Sequence, residues 1–119
     1  MLWVGMGGFI GATLRYLSHL SFDKIYSSPL PFSTFFINFL GCFALGLMIN
    51  MGITNTETWP AKEFIVIGIL GGYTTFSTFG IEAYRLMESG ELMTAIIYMS
   101  ASVIFGILGI WLSQLIVRG

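Results

Sequence analysis

The chain has 119 residues, 55% of them hydrophobic and only 9% charged, with a formal net charge of −1. A soluble domain carries about 25% charged residues, so this composition, with a mean hydropathy of +0.85, excludes a soluble protein and a nucleic-acid binder. The single cysteine, Cys42, excludes an internal disulfide and a thiol metal cluster.

A membrane-spanning helix takes about 20 mostly apolar residues. Four segments qualify: residues 2–20, 32–51, 61–87 and 92–116. They predict an all-α integral membrane protein, one four-helix transmembrane domain over residues 1–119, bathed in membrane lipid. The first segment has no basic flank or cleavage site, so it reads as a span and not a signal peptide.

In the first segment, Gly7 and Gly11 form a GxxxG pair, and Gly8 with Ala12 forms a second small-xxx-small pair. Small residues let membrane helices approach closely. Arg15 either snorkels to the interface or attracts anions at a pore mouth. His19 sits at the membrane edge, before a loop over residues 21–31 that contains Asp23, Lys24, Pro29 and Pro31.

Asn38, Cys42, Gly46 and Asn50 step by four along the second segment, so they share one helical face. An amide facing hydrocarbon costs several kcal/mol, so Asn38 faces protein or water, as interhelical glue or as a pore-lining donor. A loop with Asn55, Thr56, Glu57 and Thr58 follows, and Pro60 suits a helix start.

The third segment carries Gly71-Gly72-Tyr73-Thr74-Thr75-Phe76-Ser77-Thr78-Phe79-Gly80 at mid-span. Paired glycines and clustered hydroxyls weaken a helix, and irregular backbone at that depth is tolerated only where it is buried or lines a polar path. A break at Gly71-Gly72 is expected, and with it the functional centre. Hydroxyls of Thr74, Thr75, Ser77 and Thr78, with the Asn38 amide, suit partial dehydration of a small anion. The rings of Phe76 and Phe79 lie three residues apart and can present their positive edges to it. Carbonyls freed by the break suit instead a Na⁺-sized cation, and two opposed copies would hold one ion with four of them. Spacing alone leaves the anion and cation readings open. Glu82, about one turn from the segment's end, belongs at a wet vestibule.

In the fourth segment Tyr98, Ser102, Gly106, Gly109 and Ser113 share a small, hydroxylated face. It is either a helix–helix seam or a hydroxyl track. Four spans place Lys62 and Arg118 on one side, and Lys24, Arg85 and a snorkelling Arg15 on the other. Orientation follows an excess of Lys and Arg on the cytoplasmic side. With near balance, the chain can insert both ways, and two opposite copies can pair as an antiparallel homodimer. No Ser/His/Asp, Cys/His or acidic metal grouping points to an enzyme.

Three motifs in order carry a resemblance. They are Gly7-Gly8-Phe9-Ile10-Gly11-Ala12-Thr13-Leu14-Arg15-Tyr16, Thr34-Phe35-Phe36-Ile37-Asn38-Phe39-Leu40-Gly41-Cys42-Phe43 and Gly71-Gly72-Tyr73-Thr74-Thr75-Phe76-Ser77-Thr78-Phe79. They resemble the GGxxGAxxRY, TLxVNxxGSF and GGxTTFSTF patterns of the small fluoride channels called Fluc or CrcB. The resemblance implies a dual-topology homodimer with two fluoride pores and one buried Na⁺ at the interface. It also implies export of toxic fluoride across the cell's inner (plasma) membrane. By motif position Asn38 resembles the pore asparagine, and Phe76 and Phe79 the fluoride-contacting rings. Thr75, Ser77 and Thr78 would belong to the hydroxyl track, continued by Tyr98 and Ser102. Gly71 and Thr74 would supply backbone carbonyls to Na⁺, and Arg15 and Glu82 would stand at the vestibule. Cys42 departs from the more usual serine, and Ser33 stands where glycine is common. The rival readings are a small dual-topology proton-coupled multidrug exporter, which needs an intramembrane carboxylate, and a cation channel.

Overall fold

The computed structural model describes residues 1–26, 30–55 and 59–119, with Thr54 described by its backbone alone. The loop positions Pro29, Thr56, Glu57 and Thr58 lie outside the described residues. Helices account for nearly all of the rest. They are α1 (Leu2–Ile25), α2 (Phe32–Asn50), a 3₁₀ turn (Ile53–Asn55), the wide-turned helix π1 (Lys62–Leu70), a single turn α3 (Gly71–Tyr73), α4 (Phe76–Glu88) and α5 (Leu92–Arg118). The stretches Phe32–Asn50, Lys62–Glu88 and Leu92–Arg118 are long and apolar enough to cross a membrane. α1 has 24 residues and is about 36 Å long, but its glycines, Arg15 and His19 make it the least apolar of the long helices.

α1 does not stop at Leu20 as its hydropathy suggests. It continues through residues 21–25, and Tyr26 closes it by donating its N–H to Phe22 O at 2.8 Å. Apolarity ends before the helix does, because no proline or glycine breaks the chain there. The extra turn is held by aromatic contacts to α2. Phe22 stacks on Phe36 at 5.6 Å, and Tyr26 lies 6.1 Å from Phe32.

Small residues decide which helices meet. A Cβ on Gly7 would collide with Phe64 O, and one on Gly11 with Ile69 O. One on Gly68 would come within 2.8 Å of Gly7 Cα, and one on Gly72 within 2.9 Å of Gly8 O. The two small-residue pairs of α1 thus seat it backbone to backbone on π1 and α3. On the other side, α2 packs along α5. Gly46 faces Ser113 and Ile110, Gly109 faces the Phe39 ring, and Gly106 faces Cys42. The α5 face is therefore a seam over Gly106–Ser113, where the Ser113 hydroxyl donates at 2.5 Å to Ile110 O of its own helix.

α4 and α5 form a hairpin. Gly90 takes a positive φ of 83°, and Glu91 N–H donates to Leu86 O at 2.8 Å, the 6→1 bond that closes a helix behind a left-handed glycine. Ala83, Leu86, Ala95 and Tyr98 form the buried cluster between them, joined by Phe35, Phe79 and Met99.

The third segment therefore changes partner along its length. Residues 62–73 lie on α1, and residues 76–88 lie on α5. The molecule measures 52 × 33 × 23 Å, and its thin dimension is about two helix diameters. In so thin a slab most helices keep an apolar face outward: Phe9 is 75% exposed and Ile107 64%.

Replacing Gly11 by Ala drives a methyl into the Ile69 carbonyl and is expected to cost about 1–3 kcal/mol. Gly5 has nothing within 4 Å of its would-be Cβ, and Gly5→Ala should be neutral. Thermal unfolding of both variants in detergent checks this pair.

Candidate functional site

The interruption of the third segment falls three residues later than the glycines suggest. Gly71 has helical dihedrals, φ −63° and ψ −37°. Thr74 (φ −79°, ψ 157°) and Thr75 (φ −146°, ψ 122°) are extended. The glycines serve the close approach to α1, and the threonines carry the bend.

Three side chains make that bend stable. The Asn38 amide donates to Thr75 O at 2.9 Å and accepts from Thr75 N–H at 2.8 Å. One side-chain amide so replaces both backbone bonds that Thr75 would make within a helix, and the donor–acceptor match fixes which way the amide points. Thr75 Oγ1 caps α4 by accepting from Thr78 N–H at 3.2 Å, an N-cap interaction. Thr75 is only 7% exposed. From α1, Arg15 Nη1 donates to Thr74 O at 3.1 Å. Its guanidinium turns inward to the bend and does not snorkel to the interface.

A groove of about 370 Å³ opens beside the bend. Asn38, Gly71, Thr74, Thr75, Phe76, Phe79 and Ser102 line it, with Cys42 among the residues that complete the wall. Among the described residues, no ionisable carboxylate, amine or guanidinium lines it. Its polar atoms are therefore neutral dipoles. The second N–H of Asn38 is left over after its bond to Thr75, and so is the Thr75 O–H, since that oxygen acts as acceptor toward Thr78. Ser102 Oγ is buried without a partner among the described residues.

Phe76 and Phe79 part company. Their ring centroids lie 5.7 Å apart with planes tilted by 36°, but Phe76 is 83% exposed, whereas Phe79 packs against Tyr98 at 5.3 Å. Ser77 is exposed, and neither it nor Thr78 lines this groove.

Tyr98 and Glu82 lie beyond it. The Tyr98 hydroxyl is near the Glu82 carboxylate and the Thr34 hydroxyl yet has no hydrogen-bond partner in good geometry. Glu82 accepts from Thr34 Oγ1 at 2.5 Å. It stands mid-way along α4 and is held by α2. Thr34, fully buried, is the polar residue that the sequence reading passes over. Stepping back by four from Asn38 along the same face would have found it.

Among the described residues no group of three His, Cys, Asp or Glu can hold a metal ion. A cation would have to use carbonyls. Gly71 O loses its usual helical donor because Thr75 N–H goes to Asn38. Thr74 O keeps one lone pair beside its bond from Arg15. These oxygens fit a hard cation in kind, but one chain brings too few of them to fill a coordination shell.

Comparison with known proteins places the chain. The family described as "CrcB-like protein, Camphor Resistance (CrcB)" matches residues 2–114. A Chloroflexus aurantiacus protein named fluoride-specific ion channel FluC is 40% identical over 111 residues, 92% of this chain and 88% of that protein. Proteins of the same name are similar over greater lengths. The one from Shewanella halifaxensis is 39% identical over 98% of this chain and 94% of its own length. The one from Flavobacterium psychrophilum is 34% identical over 99% and 96%.

Removing the cap while keeping the shape tests the bend. Thr75→Val is expected to cost about 1 kcal/mol in stability, and Thr75→Ser to restore most of it. Chemical or thermal unfolding of the two variants provides the measurement.

Proposed function

The chain belongs to the CrcB family, and on that footing we propose that it is a passive fluoride-selective channel that exports toxic fluoride across the cell's inner membrane. Its apolar helices and its family make it a multi-pass membrane protein, and a transporter rather than an enzyme. The observation that carries the reading is the neutral groove at the bend, with donors left over on Asn38, Thr75 and Ser102.

Fluoride entering an apolar protein must exchange its water for other donors. The Asn38 N–H, the Thr75 O–H and the Ser102 hydroxyl can each donate one bond. Because Asn38 is already clamped to Thr75, its free N–H is preorganised. None of these donors carries a charge that would trap the ion. The edges of Phe76 and Phe79 add weak positive potential. Tyr98 continues the track along α5, and Ser77 and Thr78 extend it on α4. Arg15 and Glu82 flank it as the charged groups of the vestibule.

The functional unit is proposed to be an antiparallel homodimer in lipid, with two pores. The near balance of Lys and Arg between the two sides supports it, and so does the outward, 83% exposed Phe76 ring. A Na⁺ ion would be held between copies by the carbonyls of Gly71 and Thr74, where it would supply fixed positive charge and join the two chains. Glu82 is bonded by Thr34 and does not line the groove, so the geometry does not favour a proton-coupled exporter.

Liposomes containing the purified protein, with valinomycin to carry balancing K⁺, should release fluoride and not chloride. Asn38→Asp removes a donor and adds a negative charge, and Phe79→Ile removes a ring edge. Each should lower fluoride efflux by at least about tenfold while the dimer persists on size-exclusion chromatography. Wild-type rates in both variants would sink the assignment.

A further inference from the structure

Among the described residues Arg15 is the charged side chain that bonds to the bend, and its position is not adjustable. Four residues before it, Gly11 is seated on the backbone of Ile69 and Tyr73. Three residues after it, Ser18 Oγ shares a hydrogen bond with Tyr73 OH at 3.0 Å. The helix that carries Arg15 is thus pinned to π1 and α3 on both sides of it. The only hydrogen bond of its guanidinium among the described residues goes to Thr74 O, at 3.1 Å, and no carboxylate neutralises it there.

That oxygen is also one of the two proposed to hold the cation. It has two lone pairs, so it can serve both partners at once. A guanidinium and a metal ion on one carbonyl oxygen then lie within about 6 Å of each other, where like charges in a poorly screened site repel strongly.

We propose that Arg15 sets the affinity of the cation site by sharing the Thr74 carbonyl with the bound ion. The inference rests on the sodium reading given above. Arg15 holds the bend when the cation is absent and lowers the affinity when it is present. The site therefore binds Na⁺ more weakly than the same carbonyls would without Arg15.

The test is the melting temperature of the purified dimer against Na⁺ concentration, at constant ionic strength with N-methylglucamine replacing Na⁺. A cation that binds only the folded state raises the melting temperature with ln(1 + [Na⁺]/Kd), and the Na⁺ concentration at which that rise sets in, near Kd, is taken as the midpoint. Arg15→Gln keeps a hydrogen-bond donor and removes the charge, and should shift the Na⁺ midpoint at least about tenfold lower. Arg15→Lys keeps the charge and should leave the midpoint near that of the unaltered protein, as should Arg85→Gln at a distance. Equal midpoints for Arg15→Gln and the unaltered protein would overturn the role of Arg15 and leave the sodium reading standing. A higher midpoint in Arg15→Gln would overturn it too, because Arg15 would then be building the site. Should Arg15→Gln fail to fold, a midpoint for Arg15→Lys displaced tenfold or more would overturn it instead. A melting temperature indifferent to Na⁺ in every protein would overturn the sodium reading and this inference together.

Discussion

The two hydrogen bonds exchanged between the Asn38 amide and the Thr75 backbone allow the third segment to leave helical geometry inside an apolar protein. A backbone N–H or C=O without a partner costs several kcal/mol in such surroundings. The amide of one asparagine supplies a donor and an acceptor in the spacing that the N–H and C=O of one extended residue need. Thr75 can then be extended at 7% exposure, and its hydroxyl is free to start the next helix. The neutral groove lies at this bend, and the donors that give it chemistry are those left unused by the clamp.

The bend has a packing consequence as well as a polar one. Residues 62–73 are drawn onto α1 by glycines on both sides of the contact, and residues 76–88 onto α5 by a hairpin with a left-handed glycine. A straight helix could not satisfy both partners. The change of direction at Thr74–Thr75 joins two packed halves, α1 with π1 and α3, and α2 with α4 and α5. The Thr74 methyl group fills the space that a Cβ on Gly41 would occupy, so α2 meets the bend without a side chain in the way. The glycines on either side of the bend matter because they are small, and only Gly52 and Gly90 take a positive φ.

Charge is kept away from the groove and close to its back. Arg15 approaches the bend from α1 and donates to the Thr74 carbonyl, while Glu82 is bonded by Thr34 between α2 and α4. The groove between them carries dipoles alone. For a small anion this means attraction to the region by a nearby positive charge, with partial dehydration by donors that cannot form an ion pair with it.

By itself the sequence determined the helical class, the approximate extents of the apolar segments, the family and the identity of the central stretch. The class and the extents follow from composition, apolar run length and residue spacing, which are local properties; the family came from the resemblance of three motifs in order. It also named the residues that meet at the groove, Asn38, Thr75, Phe76, Phe79 and Ser102, because motif order survives without coordinates. Only the tertiary structure decided what each of them does. The glycine pair looked like the break because glycine is flexible, yet Gly72 is held helical by its contact with Gly8. The threonines yielded because Asn38 replaced both backbone bonds of Thr75 and Arg15 met the carbonyl of Thr74. α1 outran its apolar stretch because aromatic contacts to α2 stabilise a polar last turn. Arg15 turned inward because α1 is pinned on both sides of it. In each case the deciding partner lies many residues away in the chain, where periodicity and propensity carry no information.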